Sequence, residues 1–118
     1  MITIYQIRLS NAEINQANAE GFQTVPKVEA KTWMGIGARK WMADYAKYYE
    51  PVCTVDTDDL ELAFEATNIW NYPELTKRIG RGSSSSSSVG DIFVKDNDCY
   101  VVDCIGFVKL GPYEMMGA

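Results

Sequence analysis

Histidine is absent from all 118 residues of the chain. That removes Ser-His-Asp and Cys-His nucleophile pairs, along with every imidazole general acid or base. Cysteine is scarce as well: there are 3, at Cys53, Cys99 and Cys104. An odd number with no secretory leader argues against a disulfide framework. No Cys-x-x-Cys occurs, and Cys99 with Cys104 has no second pair to complete a zinc set. The three cysteines are expected in strands, as small buried hydrophobes. Long apolar runs are missing too. Nothing approaches the ~18 residues of a membrane span, and Ile2 to Leu9 is too short and too polar for a signal core. These absences point to a reducing, cytoplasmic setting with no membrane partner.

Positive charge is in the minority. Lys and Arg number 11 against 16 Asp and Glu, for a net charge of −5. Sequence-independent binding of nucleic acid needs clustered cations, whereas a modest acidic excess keeps a small protein in solution. The acid-rich Asp56-Thr57-Asp58-Asp59 fails the calcium-loop pattern, since no glycine or closing glutamate follows at the required offsets. No Walker sequence occurs. We therefore expect no cofactor, no metal and no catalysis.

What is present suits a small folded domain. Hydrophobic residues make up 47% of the chain, enough for one core, and residues 1–118 read as a single domain. Residues 2–9 alternate and are β-branched, as a strand requires. Ser10 followed by Glu13 is a capping box for a short, polar helix that Gly21 would end. Residues 22–37 carry Pro26, Gly35 and Gly37 and are expected to form an irregular connection with no more than one turn of helix. Residues 38–49 place Ala38, Trp41, Tyr45 and Tyr48 or Tyr49 at helical spacing, ahead of the stop at Pro51. An aromatic stripe of this kind serves as core more often than as a stacking platform. Residues 52–55 read as a short strand. A helix over 58–68 follows, capped by Asp58 with Glu61 and buried through Leu60, Ala63, Phe64 and Thr67.

Residues 69–82 read as a connection with one helical turn around Glu74 to Ile79, and they carry the clearest basic cluster, Lys77, Arg78 and Arg81. Serines 83–88 follow at once and are expected to form a flexible loop. Arginines beside free backbone N–H groups suit an anion or a partner's acidic group. Lys77, Arg78, Arg81, Ser83 and Ser84 are therefore the candidate binding residues, with Trp70 and Tyr72 near enough to stack on a base.

From Ile92 the β pattern returns. Residues 91–95 and 99–105 flank Asp96-Asn97-Asp98, which is turn chemistry, so a hairpin is expected. Residues 107–110 extend it, and the tail 111–118 is expected to fray. The fold expected is α+β. A small antiparallel sheet ends in a hairpin or meander and is covered on one face by two main helices, 38–49 and 58–68. An exposed hairpin edge leaves homodimerisation open.

Three short motifs, Ser88-Val89-Gly90-Asp91-Ile92, Tyr100-x-Val102-Asp103 and Ile105-Gly106-Phe107, resemble the C-terminal pattern of YodL-like small proteins. These occur in bacteriophages, including cyanophages, and in mobile elements. Asp58-Asp59-Leu60-Glu61-x-Ala63-Phe64-x-x-Thr67-Asn68 resembles the helix that precedes that pattern, so the likeness spans about residues 52–110. It implies a phage-type accessory protein that binds and modulates a host or viral protein in the host cytoplasm. It brings no reaction and no catalytic residues. The alternative is a nucleic-acid or nucleotide-binding module that uses the basic segment from Lys77 to Arg81.

Overall fold

Six strands, β1 (Ile2–Ile7), β2 (Tyr49–Val55), β3 (Thr76–Arg78), β4 (Ile92–Lys95), β5 (Asp98–Val102) and β6 (Phe107–Pro112), form one sheet in the order β3-β2-β1-β4-β5-β6. The computed structural model describes residues 1–68, 72–79 and 86–116. Every pairing is antiparallel, and β4, β5 and β6 make a C-terminal meander. The α+β class, the antiparallel sheet and the meander are as the sequence predicts.

Alternation along the strands sorts the core into two clusters. Ile2, Ile4, Cys53, Val55 and Phe93 pack with Ala63 and Ala66 of helix α3 (Leu60–Asn68). Tyr5, Ile7, Ile92, Cys99 and Val101 pack on the opposite face with Ala30 and Met34. Those two belong to α2 (Pro26–Met34), which follows α1 (Asn11–Glu20). The helices thus divide between the two faces of the sheet. A bulge opposite Ile4 and Tyr5 inserts Val52 into β2, and Val52 and Cys53 both join the α3 cluster.

Several local expectations are corrected. The segment 26–34 is helical because Pro26 occupies the first turn, where its missing N–H costs nothing, and Gly35 stands at the C-cap. The expected helix over 38–49 is instead two 3₁₀ segments, Ala38–Lys40 and Ala43–Tyr48. With three residues per turn, Ala38 and Trp41 align, as do Tyr45 and Tyr48, and all four still pack on the core. Asp59 rather than Asp58 caps α3, its Oδ1 accepting from the Glu61 and Leu62 N–H groups at 2.9 and 3.2 Å. Asp58 accepts from the Met1 ammonium at 2.7 Å. The hairpin tip has 2 residues, Asp96 (φ 51) and Asn97 (φ 66), both left-handed. The tail does not fray at 111. Tyr113–Met116 forms a 3₁₀ turn packed on the α2 face, and the Tyr113 hydroxyl lies 2.7 Å from that of Tyr5.

Candidate functional site

The basic cluster is split by the fold. Residues Thr76–Arg78 pair with β2, Arg78 opposite Cys53 and Lys77 opposite Thr54. Neighbours in a strand point to opposite faces, so Arg78 shares the face of Cys53 and Lys77 the other. Both are exposed on an edge strand. Trp70, Arg81, Ser83 and Ser84 lie outside the described residues. Ser87 does not project into solvent. It is buried, its N–H donates to the Thr67 carbonyl at 3.2 Å, and its hydroxyl meets that of Thr67.

The turn from Ser88 to Asp91 does more than join a loop to a strand. Gly90 sits at φ 96, and a Cβ there would stand 2.7 Å from the Met34 carbonyl oxygen. Only glycine satisfies both the left-handed backbone and that approach. The turn is thereby seated on the end of α2, and the Tyr49 hydroxyl donates to the Gly90 carbonyl at 2.6 Å. Asp91 is buried, 7% exposed. Its Oδ2 accepts from the Ser88 N–H and from Gln6 Nε2, both at 3.0 Å. Burial pushes its carboxyl up to about 6, against the pull of those two hydrogen bonds and of Lys31.

Between this turn, the end of β1 and the end of α2 lies a cavity of about 130 Å³. Ile7, Met34 and Val89 give it apolar walls; Lys31, Tyr49 and Asp91 give it polar ones. The Lys31 ammonium donates to the Ile7 carbonyl at 2.7 Å. In the sequence, Val89 to Asp91 stand out only within the Ser88 to Ile92 motif, and none of them is a candidate binding residue. The signal available was an aspartate entering an apolar strand, but its partners Gln6 and Lys31 are remote in sequence.

A second feature occupies the bend between β5 and β6. Asp103 Oδ1 accepts from the Ala38 N–H at 3.1 Å and from the Cys104 N–H at 2.9 Å. These bonds hold its carboxyl below the usual carboxylate range. The Asp103 N–H donates to the Gly106 carbonyl at 2.9 Å, and the Cys104 thiol to the Ile36 carbonyl at 3.2 Å. At the apex Ile105 is 93% exposed, and Ile36, tied to the same bend, is 42% exposed. Beside them is a groove of about 110 Å³, walled by Phe64, Val102 and Phe107 and edged by Glu61, Asp103, Cys104 and Gly106.

Cys104 is thus exposed in a bend, not buried in a strand, because β5 stops at Val102 and Gly106 (φ 72) turns the chain. Cys53 and Cys99 are buried as expected, and burial pushes both thiols up to about 11, so neither is a thiolate at neutral pH. Among the described residues no group of three or more Cys, Asp or Glu side chains could hold a metal, and no helix is long and apolar enough to cross a membrane. No protein-family model, curated protein or solved structure matches this chain.

Proposed function

We propose that this protein is a small accessory module that binds another protein through the apolar end bearing Ile36 and Ile105, and acts by contact rather than by turnover. In the setting implied by the YodL-like resemblance, the partner is a host or viral protein in the host cytoplasm, and binding modulates it. The observation that carries this reading is Ile105, 93% exposed on a bend held by hydrogen bonds. A lone exposed isoleucine is ordinary. One held in place beside a second exposed isoleucine and an aromatic-walled groove has the makings of a binding hot spot. Its ordering cost is met before the partner arrives. Full burial of the Ile105 side chain would contribute about 1.5–3 kcal/mol, and burial of what Ile36 still exposes about half of that.

The test compares capture by the natural protein and by Ile105→Asp from a lysate of the native host. A stoichiometric protein should be retained by the first and lost by the second, with the two variants unfolding at the same temperature. The reading fails if no stoichiometric protein is captured, or if Ile105→Asp captures it equally. The nucleic-acid alternative has weaker support, because alternation along β3 separates Lys77 from Arg78. Salt-sensitive binding to DNA, RNA or nucleotides would revive it.

A further inference from the structure

The cavity under the Ser88–Asp91 turn is independent of the Ile105 bend, and its lining is that of a ligand site. Asp91 is more than nine-tenths buried, yet both of its hydrogen bonds end on Oδ2. Oδ1 takes no hydrogen bond among the described residues, while Asp91 lines the cavity. Oδ1 is thus the carboxylate oxygen that no described residue engages, and it is open to a charge-assisted hydrogen bond from a donor that a ligand brings into the cavity. Lys31 is at the solvent-exposed rim with one of its three N–H groups on Ile7, which leaves two to offer. Lys31 and Asp91 line one cavity without forming an ion pair with each other.

This lining defines its ligand by charge and by size. One anion and one cation make the lining neutral overall, which disfavours a ligand with a single net charge and favours one carrying both signs. A cavity of about 150 Å³ accepts benzene, so a volume of about 130 Å³ encloses about six non-hydrogen atoms of an occupant. Ile7, Met34 and Val89 would receive a methyl group but satisfy no further polar atom. We propose that the cavity binds a small zwitterionic α-amino acid of alanine size, its ammonium on Asp91 Oδ1 and its carboxylate on the Lys31 ammonium.

Titration of the isotope-labelled protein with L-alanine, followed by amide NMR, tests this directly. Acetate and ethylammonium serve as the two half-ligands. L-Alanine should give saturable shifts centred on Ile7, Gly35, Val89 and Gly90, with an affinity of about millimolar, in keeping with so few atoms. Each half-ligand should bind at least about tenfold more weakly, as should L-alanine to Asp91→Asn or Lys31→Gln, since each loses one charge-assisted contact. Val89→Phe fills the cavity from a half-exposed position and should abolish the shifts while the rest of the spectrum stays in place. Shifts that do not saturate, a half-ligand binding as well as L-alanine, or undiminished binding by Asp91→Asn would each overturn the proposal.

Discussion

Gly90 and Asp91 show how two adjacent residues can carry separate physical duties. Gly90 is fixed by backbone geometry and by its approach to Met34. Gly90→Ala should therefore cost about 2 kcal/mol or more, measured as a lower urea midpoint with an unchanged slope. Asp91 is fixed by hydrogen bonding at the expense of its charge. Its folded pKa of about 6 lies above its ordinary value of 3.8, so folding favours the protonated acid. The resulting penalty is absent below pH ~4, grows up to pH ~6 and is then constant at about 3 kcal/mol. Asp91→Asn keeps an oxygen for Ser88 and Gln6 and removes the charge. Its stability relative to the natural protein should rise as pH increases from 4 to 7, tracked by paired thermal melts. A stability difference that does not change with pH would show that Asp91 ionises in the fold without this cost.

Among the elements, α1 is the outlier. It buries no residue, and its definition comes from its ends: Ser10 Oγ accepts from the Glu13 N–H at 3.1 Å, and Glu13 Oε1 from the Ser10 N–H at 2.8 Å. Ser10→Ala should cost about 1 kcal/mol locally, a roughly fivefold loss of hydrogen-exchange protection in α1. The global unfolding midpoint should hardly move. A global loss of that size would mean that α1 unfolds with the sheet. Capping at Ser10 was legible because its chemistry is local, as were the strands flanking Asp96-Asn97. β3 was not legible: Thr76-Lys77-Arg78 has no apolar alternation, and only pairing with β2 makes it a strand. The 26–34 helix was hidden because Pro26 and Gly35, which mark its ends, also resemble signals for a loop. Asp103 stood in the sequence only as part of the 99–105 strand and of the Tyr100-x-Val102-Asp103 motif. Its bond to Ala38, which anchors the exposed bend, joins residues 65 apart in sequence.

At the scale of the whole molecule, the sheet is covered on both faces and ends on two edge strands, β3 and β6. The basic pair and the exposed isoleucine bend lie by opposite edge strands. Lys77 and Arg78 lie on the β3 edge, while Ile105 and the groove walled by Phe64 and Phe107 lie beside the start of β6. The proposed partner contact belongs to the second end. Its most direct test places a photo-crosslinking residue at position 105, or at the exposed α1 position Glu20 as a control, in cells where the protein is naturally made. Illumination should give one discrete protein adduct from position 105 and none from position 20. Equal labelling from both positions, or no adduct from position 105, would contradict a partner-binding site at this end of the sheet.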